Sequence, residues 1–437
     1  MKSPRQAAFE VLLKVEGEKA YSNIATNEML NQCGFDKRDS ALACMLINGV
    51  LERLYTLDYA LSANLKKPIK RLEPKVLTIL RLGAYQLLFT DRIPNAAAVN
   101  ESVRLARKNG CSYAAGLING TLRAVSDKKI VYPLYDDNKE EFYRVKYSFP
   151  LAFIRLLCDS YGEETAEEFM SSSLNRSETI YRINTIKVNR TELVDILKSE
   201  GAEPEFLDFP STAFIIKNGI RLSESKAFSD GLFYAQDTAS QLCAMALEAE
   251  DGNRVIDVCS APGGKSFSLA CIMHNKGEIL SCDIHEHKLK LIEASAKKLG
   301  IDIISTCLAD AADPAVSHDM ADRVLCDVPC SGLGAISKKP EIKYKDLKQF
   351  ADLPKLQLKI LENSSRFVKS NGILVYSTCT INPAENGEVV SQFLDCHPEF
   401  EAVSVLPQAY GNRTELTLMP HTDNCDGFYI AKLKRRQ

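Results

Sequence analysis

The sequence predicts a multidomain protein: an all-helical domain over residues 1–132, a linker over 133–150, a small α+β domain over 151–228, and an α/β domain over 229–437 built on a mostly parallel sheet. Three observations lead there. The 437 residues exceed one ordinary domain. Apolar residues recur at helical spacing through the first third. From about residue 230 short apolar runs alternate with amphipathic helical stretches, the pattern of parallel strands covered on both faces.

In the front third, Ser3 and Pro4 form a helix start, with Ser3 as cap, Pro4 at the first helical position and Gln6 reaching back. Helical stretches follow from about Arg38 to Leu61, from Pro74 onward, over Ala96–Lys108 and over Tyr113–Val125. A basic cluster, Lys66, Lys67, Lys70 and Arg71, precedes the third helix. Residues 133–150 are acidic and aromatic between Pro133 and Pro150, which reads as a linker. Beyond it, Phe153–Cys158, Glu163–Leu174 and Leu193–Glu200 read as helices, and Ile180–Val188 and Ala213–Ile216 as strands. The last domain offers strands at Arg254–Val258, Glu278–Cys282, Ile301–Ser305, Arg323–Cys326 and Ile373–Ser377, with helices such as Glu286–Leu299 and Leu356–Val368 between them.

Composition bounds the function. A hydrophobic content of 45% with 25% charged residues suits a globular protein. No apolar run approaches the roughly 18 to 20 residues of a membrane span. The N-terminus reads as amphipathic rather than as a signal peptide, so a cytoplasmic location and a monomeric protein are expected. The 14 cysteines show no disulfide or C-x-x-C metal spacing, so no metal centre is expected and thiols remain for chemistry. Residues 1–132 hold 20 Lys and Arg against 12 Asp and Glu, a surplus of eight, while the whole chain nets −3, so the rest carries −11. A basic front on an acidic body suits contact with a polyanion, although a solvated lysine-rich surface would look the same.

Chemistry-bearing residues gather at the ends of the expected strands, where parallel sheets bind ligands. After the first strand come Asp257, Cys259, Ser260, Ala261, Pro262, Gly263, Gly264 and Lys265. The paired glycines permit a sharp turn and close ligand approach at a helix N-terminus. The spacing fits neither the dinucleotide nor the Walker pattern, which favours a nucleoside-type ligand. Asp283 ends the second strand, where it suits ribose hydroxyls or a helix cap. Asp310 follows the third and can accept from an adenine amino group. The fourth delivers Asp327 and Cys330, the fifth Cys379. Most cysteines are expected to be small buried hydrophobes, but these two lie in polar, turn-rich loops where a thiol can react.

These residues resemble the RNA cytosine-5 methyltransferases of the Nop/Sun family. The matching stretches are 257–265, 327–334 with its Asp-x-Pro-Cys core, and 377–386 with its Ser-Thr-Cys core. Residues 234–241 and 420–433 look like the segments before and at the close of the catalytic sheet, and 182–187, with Arg182 and Asn184, like an RNA-binding signature. Residues 1–130 resemble the NusB helical RNA-binding domain. The family's two arginines after the Pro-Cys loop are replaced by Lys338 and Lys339, which keeps charge but loses bidentate recognition of phosphate.

The resemblance implies a Rossmann-like methyltransferase fold, S-adenosyl-L-methionine as cofactor and small-subunit ribosomal RNA, free or in an assembling subunit, as partner. It implies Cys379 as the nucleophile that adds to carbon 6 of cytosine, Cys330 as its helper in release, and Asp327 against the pyrimidine edge. Cofactor contacts fall on residues 259–265, Asp283, Asp310 and Asp327, with Lys288 a lesser candidate. RNA contacts fall on Arg182, Asn184, Lys66, Lys67, Lys70, Arg71, Lys338 and Lys339. The same chemistry on transfer RNA, a non-catalytic assembly factor and a small-molecule methyltransferase are the competing readings.

Overall fold

The computed structural model describes residues 2–18, 21–127, 130–175, 178–218 and 222–437. The chain divides into two compact units, one of residues 1–176 with Ile336–Leu347, the other of residues 177–335 with 348–437.

The first unit is helical. Its centre is the helix Pro74–Phe89, which Pro74 opens at the first turn and whose residues Ile79, Leu80, Leu82 and Ala84 are fully buried. Helices Pro4–Glu18, Lys37–Glu52, Leu54–Ser62, Asn95–Lys108 and Ala115–Ser126 pack around it through one continuous apolar core. Ser3 Oγ accepts from Gln6 N at 3.3 Å, but the Gln6 side chain donates to Glu10 and Asn109 instead of reaching back. The expected stretch Arg38–Leu61 is two helices, broken at Arg53 (φ −127°), and a helix Ser22–Cys33 precedes it. Arg81 lies within this core and forms ion pairs with Asp58 at 2.7 Å and Glu16 at 2.6 Å. Burial alone would lower its pKa, yet the two carboxylates hold it above the usual value.

The expected linker is not one. Residues Lys139–Tyr147 form a helix, capped where Asn138 accepts from Glu141 N at 3.0 Å, and it buries Tyr143, Val145 and Tyr147. The helices Leu151–Tyr161 and Glu163–Ser172 also belong to this unit, through rings of Phe149, Phe153 and Phe169 spaced 5.3 and 6.3 Å. The expected boundary at 151 therefore moves to about 176, because the aromatic residues that looked like punctuation are core. The later segment Ile336–Leu347 joins the same unit. Glu341 accepts from Ser22 N and Oγ at 3.0 and 2.7 Å, and buried Lys343 donates to Glu52 O at 2.7 Å.

The second unit holds two sheets. Strands β1 (Tyr181–Ile183), β2 (Pro204–Phe206), β3 (Ala213–Ile216) and β4 (Phe233–Ala235) form an antiparallel sheet in the order β2-β3-β1-β4, with Leu193 and Leu197 of helix Arg190–Ser199 against it. The larger sheet is formed by β5 (Arg254–Asp257), β6 (Glu278–Asp283), β7 (Ile304–Leu308), β8 (Ala321–Asp327), β9 (Val368–Thr378), β10 (Phe400–Ala402), β11 (Glu415–Leu418) and β12 (Phe428–Arg435). Its order is β10-β12-β9-β8-β5-β6-β7, parallel from β9 to β7, with β12 antiparallel to β9 and β11 beside β12. The expected strand at Ile301 starts three residues late. Gly300 N and Ile301 N donate to Lys297 O and Ala296 O, so Ile301 closes the helix Glu286–Leu299 instead.

At the end of β5, Asp257 is buried beneath helix Gly264–Ile272, where Ser266 Oγ donates to its Oδ2 at 2.6 Å and Ser281 Oγ shares a bond with Ser266 Oγ at 2.9 Å. Burial pushes its pKa up to about 7, with the Asp327 charge adding to the rise. Two outcomes follow. A folded-state pKa raised from the usual 3.8 means that Asp257 costs stability as pH rises from about 4 to about 7. Urea unfolding should therefore show Asp257→Asn gaining on the wild type across that window, and a pH-independent difference contradicts it. In the first unit, Arg81→Ala leaves two carboxylates without their cation and should cost about 3–5 kcal/mol by denaturant unfolding followed by circular dichroism; a loss below about 1 kcal/mol, as for an exposed pair, contradicts the burial argument.

Candidate active site

The order of the large sheet reverses at β5, with β6 on one side and β8 on the other, and such a switch point leaves a crevice outside the strand ends. The turn after β5 lines it. Ser260 N and Oγ donate to Cys282 O at 2.8 and 2.9 Å, which ties the turn to β6. Gly263 then takes φ +100°, and a Cβ there would meet Phe267 Cζ at 2.5 Å, so only glycine fits. A Cβ on Gly264 would meet only Gln236 Nε2, at 3.6 Å. Gln236 Nε2 donates to Gly264 O at 2.8 Å and its Oε1 accepts from Ser268, which fixes the first turn of helix Gly264–Ile272. This cradle, with its helix N-terminus and open space, fits a nucleoside-type ligand.

Two carboxylates continue the crevice. Asp283 Oδ1 accepts from His285 N at 2.9 Å and lies 3.7 Å from Lys288 Nζ; it precedes the helix without capping it, since His285 holds the cap position. Asp310 is exposed beyond β7, with Oδ1 accepting from Ala312 N at 2.9 Å. Cys259 is half-buried beside them, and burial holds its thiol well above the usual range.

The parallel pairing of β8 and β9 places Asp327 opposite Ser377. Ser377 Oγ donates to Asp327 Oδ1 at 2.9 Å and Lys265 Nζ to Oδ2 at 2.6 Å. Burial opposes the Lys265 charge, but Asp327 more than compensates and keeps its pKa above the ordinary lysine value. Lys265, expected among the cofactor contacts, thus first serves to hold Asp327. The loops beyond these strands bring Cys330 Sγ and Cys379 Sγ to 3.0 Å, both half-buried. The hydrogen bond with Cys379, then burial, hold the Cys330 thiol well above the usual range. The raised Cys330 thiol sits against Cys379, an arrangement suited to a nucleophile with a proton-carrying neighbour.

The loops are locked from behind. Gly334 N donates to Cys379 O at 3.0 Å, and Gly427 N to Gly334 O at 2.9 Å; a Cβ on Gly334 would fall 1.7 Å from Gly427 O. Glu385, Gln357, Ser331 and Thr380 form a buried polar group beneath the cysteines. Sequence reasoning missed it. Glu385 follows a proline in a loop, and only the long-range contacts show that it is buried.

Several expected RNA contacts need correction. Arg182 and Asn184 are 2% and 0% exposed. Arg182 Nη1 donates to Thr212 and Gln241, and Asn184 Nδ2 to Gly231 O and Leu299 O, each at 2.8 Å for the latter pair. They brace the second unit internally and are not available to a polyanion. Lys66, Lys67, Lys70 and Arg71 are exposed in the first unit, as is Lys338, whereas Lys339 is half-buried with Nζ 5.6 Å from the Tyr21 ring. One further group has ligand chemistry that spacing did not show: Cys282, Cys307 and His318 bring donor atoms within 4.8 Å of one another, because β6 and β7 pair Cys282 with Cys307.

Comparison with known proteins agrees with this architecture. Residues 244–434 match the model of the 16S rRNA methyltransferase RsmB/F family, and residues 2–127 that of the NusB family. The chain is 34% identical to the probable ribosomal RNA small subunit methyltransferase B of Bacillus subtilis (strain 168), over 99% of each protein. Among solved structures it is similar to the crystal structure of PH0851, with a TM-score of 0.84 and 26% identity over 100% of this chain and 99% of that one. The fold is also similar to NSun6 from Pyrococcus horikoshii with SFG, at a TM-score of 0.59 and 22% identity over 67% of this chain and 99% of that one. With a NusB-type helical unit, a methyltransferase sheet and full-length similarity to these proteins, the chain belongs to the RsmB/F family of 16S rRNA methyltransferases.

Proposed function

We propose that this protein methylates carbon 5 of a cytosine in small-subunit ribosomal RNA, with S-adenosyl-L-methionine as methyl donor and Cys379 as a transient covalent anchor. The observation that carries the reading is the Cys330–Cys379 pair, 3.0 Å apart at the ends of adjacent strands, with Asp327 on the same edge. The similarity to small-subunit ribosomal RNA methyltransferases supports the ribosomal substrate, and the SFG held by NSun6, an analogue of the donor, supports the cofactor.

The donor supplies an electrophilic methyl on a sulfonium. The chain does the rest. Carbon 5 of cytosine is a weak nucleophile in an aromatic ring. Addition of the Cys379 thiolate to carbon 6 breaks that aromaticity and moves electron density onto carbon 5, which forms the new carbon–carbon bond. Asp327, fixed by Lys265 and Ser377, would accept from a protonated nitrogen 3 on the pyrimidine edge, and that proton neutralises the electron density that the addition moves onto the ring. Transfer of the carbon 5 proton to solvent water restores the ring double bond and expels Cys379 as a thiolate, and a protonated Cys330 can give its proton to the departing sulfur. Asp283 would accept from ribose hydroxyls and Asp310 from the adenine amino group, with residues 259–265 around the donor's amino acid end. Lys66, Lys67, Lys70, Arg71 and Lys338 suit phosphate contacts. The target base must leave its stack, so single-stranded or loop RNA is the substrate form.

Cys379→Ala should abolish methylation while S-adenosylhomocysteine affinity stays within about 3-fold, since the thiol is not a cofactor ligand. Single-turnover methyl transfer by this variant would refute the role. Cys330→Ala should accumulate a slow-migrating RNA–protein species on denaturing gels; its absence with methylation intact counts against the release step. Bisulfite sequencing of total RNA from cells with and without the protein should lose one 5-methylcytosine in small-subunit RNA. Loss in transfer RNA instead would redirect the substrate.

A further inference from the structure

Glu385 is fully buried, and it is not among the residues assigned to the cofactor or the base. Its Oε1 accepts from Ser331 Oγ at 2.6 Å and Asn382 Nδ2 at 3.0 Å; its Oε2 accepts from Ser331 N at 2.9 Å and Gln357 Nε2 at 3.0 Å. All four donors are neutral amides or a hydroxyl. A carboxylate buried in this way costs several kcal/mol unless its lone pairs are filled, and here each oxygen has two donors. An amide in its place would set an NH2 group against two of these donors, and an apolar side chain would leave all four unmet, so the donor set calls for a carboxylate. The position of the donors points to what the charge does. Ser331 follows Cys330 directly, and its hydroxyl also bonds Thr380 Oγ1 at 2.8 Å, next to Cys379. Gln357 Nε2 also donates to Pro329 O at 3.0 Å, on the other side of Cys330. Glu385 O accepts from Tyr376 OH at 2.6 Å, which anchors the hub to β9.

We propose that Glu385 is a positioning residue for the cysteine pair: its carboxylate clamps the loops after β8 and β9 so that the two sulfurs meet, and its negative charge keeps the shared proton on Cys330. The role rests on the reading of Cys379 as nucleophile. The charged and titratable groups facing the pair are Glu385 and Tyr376 from behind, and Asp327 and Lys265 from the crevice side. Lys265 favours a thiolate at Cys379, and Glu385 disfavours one at Cys330. Lys265 and Asp327 compensate each other as an ion pair, so the uncompensated charge is that of Glu385, behind Cys330, and it sets the direction in which the proton is held.

The test compares full-length wild type with Glu385→Gln, Glu385→Asp and Ser331→Ala. Alkylation of Cys379 by iodoacetamide is followed against pH by peptide mass spectrometry without RNA, beside single-turnover methyl transfer and S-adenosylhomocysteine binding. Glu385→Gln should move the Cys379 alkylation midpoint to higher pH, because the charge that held the shared proton on Cys330 is gone and the proton returns to Cys379, whereas a midpoint moved down reports only the loss of a nearby negative charge. Glu385→Asp and Ser331→Ala, which keep the charge, should not move it. All three should lose roughly 10- to 100-fold in methyl transfer from misplaced sulfurs, with cofactor affinity unchanged. An unmoved or lowered midpoint in Glu385→Gln, or wild-type transfer rates in Ser331→Ala, overturns the proposal, and Ser331→Ala decides it should the Gln variant not fold. A raised midpoint in a protein whose wild type does not methylate cytosine would leave the clamp standing and remove the proposed reaction.

Discussion

The parallel pairing of β8 with β9 sets Asp327 opposite Ser377, and the site depends on that register. A slip of one residue would turn every side chain to the opposite face of the sheet and carry Asp327 away from Lys265. With the register held, the two loops need only a few residues each to bring Cys330 and Cys379 into contact. Neighbouring strands of a parallel sheet supply such proximity without long loops, so the sulfurs sit within a few residues of the strand ends that position them.

Three carboxyl groups surround this register, Asp257 and Glu385 buried and Asp327 half-buried, each accommodated differently. Asp327 is matched by a cation, Lys265, at 2.6 Å. Glu385 is surrounded by neutral donors. Asp257 receives one hydroxyl at Oδ2, and its Oδ1 has no hydrogen-bond partner among the described residues; burial drives it toward the neutral acid. The difference is physical: an ion with a partner or several dipoles keeps its charge, and one without them gives it up. Burial without a cation or a full set of donors thus raises the pKa of the carboxyl beneath the glycine turn. The electrostatic field at the crevice is built by burial as much as by residue type.

Much of this was legible from local pattern. Helix Glu286–Leu299 follows its periodicity to the residue, and the strand ends carrying Asp283, Asp327 and Cys379 lie where apolar runs meet turn residues. The glycine turn was legible because only glycine tolerates φ +100° against Phe267. What local pattern missed depends on distant partners. Arg182 and Asn184 look like exposed polar residues until β1 is packed between β3 and β4, where both become internal braces. Tyr143 and Tyr147 read as linker until they meet a core, and Ile301 as strand until the helix before it needs an apolar cap. The segment Ile336–Leu347 offers no sequence sign that it belongs with the helical unit; its assignment comes from Glu341 meeting Ser22 and Lys343 meeting Glu52.

The proposed chemistry requires that one sulfur, and a particular one, bond to the target base. An RNA substrate carrying 5-fluorocytidine tests this most directly, since after methyl transfer carbon 5 bears fluorine and methyl and has no proton to lose, so the sulfur cannot be expelled. Peptide mapping of the trapped complex by mass spectrometry should place the methylated base on Cys379. A methylated RNA released with no protein attached, or a base bonded to Cys330, would contradict the account.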